Sequence, residues 1–324
     1  MKEHTLTDSS TPLLISVVIP YFNRAHTLHR TLCSVYNQTY RPIELILVDN
    51  GSNDTSNNCC SRFESTHQSE NFHIVSLTEQ KKGANAARNC GLNAANGQYV
   101  TFFDSDDEMF PYMIETIVRA IIQQNNPDII AYTHLTEMAD GTQSVRVKCR
   151  SNKAYKQIVR GMLATQDFTV RTSLLKSLSG WNEELSRWQD WEMTTRLLMQ
   201  TNNVYWLSAP PLSIVHFSKE SITGVNYHSS DKALYKAVKT VYNFVNNSES
   251  TQKKKLIKAV CFRYALLAGL YTQEGEKEKG SFYFNKLYRD HLRGKPYLTS
   301  VCYFVYKYTA CGGRGAWLFA YLFL

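Results

Sequence analysis

The sequence predicts an α/β fold, a mostly parallel sheet with helices on its faces, followed by a helical C-terminal region. Three observations point to it. Short, continuous apolar runs alternate with segments of helical spacing through roughly the first hundred residues, the pattern of strands covered on both faces. Each run stops at a polar or acidic cluster. After Gly224 the character changes to long runs rich in Lys, Tyr and Leu.

Taken in order, Leu13 to Pro20 is a β-rich run ended by a proline, and Thr27 to Gln38 carries Leu28, Leu32 and Val35 at helical spacing. Ile43 to Val48 is a second strand, ended by Asp49-Asn50-Gly51-Ser52-Asn53-Asp54. His73 to Leu77 is a third, Ala84 to Ala95 a helix, and Tyr99 to Phe103 a fourth strand that stops at Asp104-Ser105-Asp106-Asp107. Strand, helix, strand repeated in this way implies parallel pairing. A helix over Tyr112 to Gln124, a strand near Asp128 to His134 and a helix over Trp191 to Gln200 follow. A boundary near residue 225 divides the chain into a flexible leader (1–12), an α/β unit (13–225) and a helical region (226–324). The last contains helices over Asp231 to Asn247 and Gln252 to Gln273, and a helical hairpin turning at Gln273-Glu274-Gly275.

Length and composition set the limits. A chain of 324 residues, 43% hydrophobic and 20% charged, can bury one large core or two smaller ones. Its net charge of +8 is dispersed, which suits phosphates, anionic small ligands or an anionic membrane surface. There is no dense basic arm, so nucleic acid is not an expected partner. Eight scattered cysteines without a Cys-x-x-Cys pair favour a reduced, cytoplasmic setting. The polar start, Met1 to Ser10, has no apolar core of a signal peptide. Tyr297 to Leu324 is apolar and aromatic but is broken by Lys307, Gly312, Gly313, Arg314 and Gly315. Neither half reaches the roughly 20 apolar residues of a membrane span, which leaves an interfacial anchor at the inner face of the cell membrane or a helix packed on the core or a partner.

In open parallel sheets, ligands bind beyond the carboxyl ends of the strands. The sequences there are Tyr21-Phe22-Asn23-Arg24, Asp49-Asn50, Lys81-Lys82-Gly83 and Asp104-Ser105-Asp106-Asp107. Three carboxylates within four residues repel one another unless something positive sits between them, and a hard divalent ion that also touches a diphosphate meets that need.

These motifs, Ile15 to Arg24, Val48 to Thr55, Lys82 to Asn89 and the Asp104 cluster, resemble glycosyltransferase family 2, the GT-A fold nucleotide-sugar transferases, over roughly residues 13 to 220. The resemblance implies a Rossmann-like mixed sheet of about seven strands. It also implies that Pro20, Tyr21, Asn23 and Arg24 form a loop over the nucleoside and that Asp49 with Asn50 reads the base or ribose. Asn50 stands where many members carry a second carboxylate, and an amide can still donate to and accept from a pyrimidine edge. Gly83 permits a close turn, and Arg88 pairs with a phosphate or fixes the acidic cluster. Asp104, Ser105 and Asp106 correspond to the DXD motif, with Asp104 and Asp106 holding Mg²⁺ or Mn²⁺ and His216 falling where a further contact to metal or diphosphate is expected. Gly180 to Glu192 is similar to the acceptor-side motif, which makes Asp190 the general base, with Gln189 in place of the usual Glu. Asp107 is either part of the cluster or a helix cap, and Trp181 and Trp188 either stack on sugar rings or pack in the core.

The activity implied is inverting transfer of a hexose or N-acetylhexosamine from a UDP-sugar to a hydroxyl of a surface glycan, such as lipopolysaccharide or capsule. A lipid-linked acceptor would give the basic, aromatic tail a reason to lie near a membrane. Two competing readings are a nucleotide-sugar-binding subunit without turnover and a nucleotidyltransferase. The second is disfavoured because Pro20 to Arg24 lacks a Gly-rich triphosphate loop.

Overall fold

The computed structural model describes residues 12–145, 150–217 and 226–324. The leader through residue 11 and the boundary placed near residue 225 lie outside the described residues. In chain order the elements are β1 (Ile15–Tyr21), α1 (Leu28–Tyr36), β2 (Ile43–Asp49), α2 (Ser56–His67), β3 (Phe72–Thr78), α3 (Ala84–Ala94), β4 (Tyr99–Phe102), β5 (Glu108–Met109) and α4 (Met113–Gln123). Then come β6 (Ile129–Ala131), β7 (Leu135–Glu137), β8 (Gln143–Val145), α5 (Ala154–Arg160), β9 (Phe168–Arg171), α6 (Thr172–Ser177), α7 (Gln189–Gln200), β10 (Val204–Trp206) and β11 (Ser213–His216). The chain finishes with α8 (Asp231–Asn247), α9 (Lys253–Gln273), α10 (Lys277–Leu287), α11 (Pro296–Ala310) and α12 (Ala316–Leu322).

Seven strands form the main sheet in the order β10-β6-β9-β4-β1-β2-β3. All neighbours are parallel except β9, which runs antiparallel to both β4 and β6. The sheet is therefore mixed, as the resemblance implied. Register puts Tyr21 beside Asp49 and Asp49 beside Thr78, while Val18 lies beside Phe102. The polar sequences after β1, β2, β3 and β4 consequently share one rim. A small second sheet, β5-β11-β7-β8, stands next to the end of β4.

Side chains of the central strands alternate between two cores. Val17, Ile19, Leu45 and Leu47 pack with Leu28, Leu32 and Ile117 on one side of the sheet. Val18, Ile46, Val48 and Val100 pack on the other, where the cluster runs on through Ile158 and Trp191 into Leu234, Tyr264 and Val305 of the C-terminal helices. Helix α3 seats directly on β1 and β2 at Gly91, where a Cβ would stand 2.4 Å from Val18 Cγ1. The expected hairpin is present as α9 and α10, which turn at Gly275 with φ of 96°. Among the described residues no helix is long and apolar enough to cross a membrane.

Candidate active site

The acidic loop after β4 is gripped at three carbonyls by the start of α1. Thr27 Oγ1 donates to the Ser105 carbonyl at 3.0 Å, an Arg30 N–H to the Asp106 carbonyl at 2.7 Å, and Thr31 Oγ1 to the Asp107 carbonyl at 2.8 Å. Residues 27, 30 and 31 fall on one face at the start of α1 because i, i+3 and i+4 coincide on a helix. With its carbonyls held from behind, the loop turns Asp104 and Asp106 to the rim as half-buried side chains, while Ser105 is buried.

Each rim carboxylate has a guanidinium. Arg88, from α3, places a terminal N–H 3.0 Å from Asp104 Oδ1, and Arg24 lies 3.7 Å from Asp106 Oδ2. Arg88 is 5% exposed, with its charge laid over the Trp181 ring at 4.7 Å and steadied by Asn85 Oδ1 at 3.3 Å. Burial, and then the Asp104 charge, raise the protonation tendency of Asp106, while Arg24 and Arg30 oppose them. Asp107 points inward. Its Oδ1 accepts the His216 backbone N–H at 2.8 Å and its Oδ2 accepts from Gln166, while burial followed by the Asp104 and Asp106 charges pushes its carboxyl well up. It ties the second sheet to the acidic loop and caps no helix.

Asp190 occupies the first turn of α7, half-buried, with Oδ1 accepting the Trp191 N–H at 2.8 Å. Burial raises its carboxyl above the ordinary carboxylate range. The Trp191 bond and the nearby Arg88 charge pull it down, and buried Asp167 pushes it up. The side chain of Asp167, 1% exposed, is held by His134 Nδ1 at 2.7 Å and by the Ala164 N–H at 2.7 Å. Arg88 is thus shared: it is hydrogen-bonded to Asp104 and felt by Asp190, though the two carboxylates are far apart in sequence.

Several expected residues have other jobs. Asn50 spends both N–H groups on the carbonyls of Glu79 (3.0 Å) and Lys81 (2.8 Å) and accepts the Gly83 N–H at 2.7 Å. No donor is left for a base edge, and a carboxylate could not replace it, since it cannot donate to two carbonyls. Tyr21 is buried beneath the rim, its hydroxyl on Asn57 at 2.7 Å. Asp49 is also buried, accepting from the Ser52 N–H at 2.9 Å and Asn57 at 3.2 Å. Asn23, at φ of 52°, bridges to Ser52 and Asn53 and shapes the loop between half-buried Pro20 and Arg24. Gly83, at φ of 126°, starts α3 as foreseen.

His216 was expected near metal or diphosphate. Its ring nitrogens instead lie 2.8 Å from Glu108 and 3.2 Å from Glu137, so both are engaged by carboxylates. Trp181, 2% exposed and edge-on to Phe102 at 5.2 Å, is a core residue with no face open to an acceptor. Trp188, at φ of 53°, is half-buried under Arg263 of α9, whose guanidinium lies 3.9 Å over its ring. Gln189 opens α7 and is half-buried. Thr27, Arg30, Thr31, Gln166, Asp167 and Arg263 were not singled out from sequence. The first three left a signal, a polar stripe at helical spacing beside Leu28 and Leu32.

Among the described residues no three His, Cys, Asp or Glu side chains converge as a metal cage. Asp104 and Asp106 nevertheless fit a magnesium-like ion, which commonly takes one or two carboxylates and completes its shell with substrate phosphates and water.

Known proteins resemble this chain in sequence and in fold. Residues 16–175 match the family described as Glycosyl transferase family 2. Glycosyltransferase GlyG of Streptococcus pneumoniae is 37% identical over 128 residues, 40% of this chain and 42% of GlyG. The Escherichia coli protein WfgD, named a UDP-Glc:alpha-D-GlcNAc-diphosphoundecaprenol beta-1,3-glucosyltransferase, is 32% identical over 112 residues, 35% of this chain and 42% of WfgD. The chain therefore spans less than half the length of these relatives. Among solved structures, S. aureus TarS 1-349 in complex with UDP-GlcNAc superposes with a TM-score of 0.67 at 16% identity, covering 94% of this chain and 93% of that one. The mannosyltransferase PcManGT from Pyrobaculum calidifontis, in complex with GDP-Man and Mn2+, gives 0.57 at 16% identity over 95% of this chain and 86% of that one. These likenesses show the GT-A fold. Through residues 16–175, this chain belongs to glycosyl transferase family 2.

Proposed function

We propose that this protein transfers a hexose or N-acetylhexosamine from a UDP-sugar to a hydroxyl of a surface-glycan acceptor, with inversion at the anomeric carbon. The observation that carries the reading is the acidic rim at the strand ends, where Asp104 pairs with the buried Arg88 at 3.0 Å and Asp106 lies 3.7 Å from Arg24. The TarS complex with UDP-GlcNAc and the name of WfgD support a UDP-sugar donor, and the WfgD name supports a lipid-diphosphate acceptor.

On this reading Arg24, Lys82 and the turn at Gly83 receive the nucleotide's anionic portion at the rim. Lys82 Nζ is 3.1 Å from the Asn50 carbonyl and 5.1 Å from the centre of the exposed Phe22 ring. Asp104 and Asp106 would hold Mg²⁺ or Mn²⁺, which when bound neutralises negative charge on the diphosphate. Asp190 takes the proton of the acceptor hydroxyl as its oxygen forms a bond to the anomeric carbon. The bond from that carbon to the diphosphate oxygen breaks on the opposite face, and the electron pair leaves with UDP. A carboxylate with a raised pKa is a stronger base than an ordinary one, which suits this role. The proposed division of labour is a donor and catalytic unit within 13–225, braced by the helices of 226–324.

The reading of a binding subunit without turnover rested on Asn50 and Gln189. Asn50 has a structural reason, which leaves Gln189 alone as a motive for that reading. The test is an assay of donor consumption across UDP-sugars with lipid-linked and free glycan acceptors, run on the wild type and on Asp190→Asn. Acceptor-dependent UDP release lost in the variant is the expected result. Release that survives in Asp190→Asn would remove Asp190 as the base.

A further inference from the structure

We propose that the outward face of α11 and α12 docks this protein on an anionic lipid bilayer. Helix α11 is divided lengthwise. Val301, Cys302 and Val305 are buried against α9, whereas Tyr297, Tyr303, Phe304 and Lys307 face outward, with Tyr297 62% and Phe304 46% exposed. The chain then turns back so that α12 lies beside α11, with Phe319 5.0 Å from Phe304 and Phe323 6.0 Å from Tyr297. From α12, Leu318 (54% exposed) and Leu322 (76% exposed) project at i and i+4, one above the other. The result is one exposed aromatic and aliphatic surface built from two helices that are otherwise well packed.

Charge selects the occupant. Between His291 and Leu324 there is no Asp or Glu, while Arg293, Lys295, Lys307 and Arg314 are all exposed. Apolar side chains on a segment whose own charged residues are all cationic match the interface of a bilayer with anionic headgroups, where aromatic rings sit at headgroup depth and each Lys or Arg adds attraction. The face is also rigidly continuous with the catalytic side. Arg160 of α5 lies 4.2 Å over the Trp317 ring, the Tyr321 hydroxyl reaches the Lys156 carbonyl at 3.4 Å, and the Ile158 carbonyl accepts the Trp191 indole N–H at 3.0 Å, next to Asp190. Docking would therefore hold Asp190 at a fixed offset from the membrane; only the benefit to a lipid-linked acceptor rests on the proposed transferase reading.

The full chain should be sedimented with vesicles of equal parts phosphatidylglycerol and phosphatidylcholine, and with phosphatidylcholine alone, at low and high salt. Binding is expected to the anionic vesicles only and to fall with salt. Lys307→Gln with Arg314→Gln should weaken it roughly 25-fold, about fivefold per charge. Leu318→Ser with Leu322→Ser should weaken it as well, with the melting temperature of both variants unchanged because all four side chains are exposed. UDP binding, followed in parallel, should be unaffected, so failure of the membrane proposal and failure of the nucleotide reading are told apart. No sedimentation with either vesicle, equal sedimentation with both, or variants that bind like the wild type would overturn the proposal. So would a dimer in sedimentation velocity that the leucine variants dissolve, since a second copy would then cover this face.

Discussion

Asp190 pays a visible cost in its present place. Its carboxyl is raised chiefly by burial, so the ionised form that the proposed base role requires is the form the fold disfavours. A carboxylate whose folded pKa is raised leaves stability intact below its unfolded value and withdraws it as pH climbs through the folded value. Asp190→Asn keeps the acceptor for the Trp191 N–H and removes the charge. The variant is expected to lose about 10²- to 10⁴-fold in transfer rate while retaining UDP affinity. It should also melt higher than the wild type at neutral pH, with the difference closing below about pH 3.9. Thermal melts across pH beside a transfer assay check both halves, and a lower melting temperature at neutral pH would contradict the assignment. Asn50 makes a complementary case. Asn50→Asp replaces the one NH2 group that donates to both the Glu79 and Lys81 carbonyls with a single oxygen facing them, and a loss of about 1–3 kcal/mol is expected in urea unfolding. Neither the clasp at Asn50 nor the enclosure of Trp181 is visible in sequence, because both depend on partners brought in from elsewhere: the 79–83 loop for Asn50, and Phe102 and Arg88 for Trp181.

Among the elements, β1, β2, β3 and α3 were legible because their own residues carry the pattern: the almost wholly buried β1 and β2 appear as largely apolar runs, β3 alternates buried and more exposed residues, and α3 follows a glycine turn. Helix α2 was not, since SNNCCSRFESTH buries only Ser56, Cys60 and Phe63 and shows almost no apolar stripe. Strand β9 escaped notice because its four residues are fixed by insertion, antiparallel, between β4 and β6, and no local pattern announces a partner on each side. The acidic loop was found, but its support from α1 was not. That support predicts that Thr27→Val combined with Thr31→Val weakens metal-dependent UDP binding by releasing two carbonyls of the loop, without altering the strands beneath. Calorimetric titration of the double variant checks this, and wild-type affinity would show that the loop holds its shape unaided.

At the scale of the molecule, the C-terminal helices complete the core. Val18 and Ile46 of the sheet belong to the same cluster as Leu234 and Tyr264, and Arg263 of α9 covers the Trp188 ring at the start of α7. A chain ended after residue 225 would expose the apolar faces of α5 and α7, where each uncovered large aliphatic side chain forfeits about 1.5–3 kcal/mol. Such a truncation is expected to aggregate or to bind a hydrophobic dye strongly, and a monomeric, cooperatively melting fragment would contradict that. The whole fold converges on the rim where Arg24, Arg88, Asp104 and Asp106 meet. Isothermal titration with UDP, with and without Mn²⁺, on the wild type and on Asp106→Ala, tests that convergence directly. Binding that requires the metal and disappears in the variant is the predicted result. Absence of UDP binding under both conditions, or binding indifferent to Asp106, would contradict the assignment of this rim as the donor site.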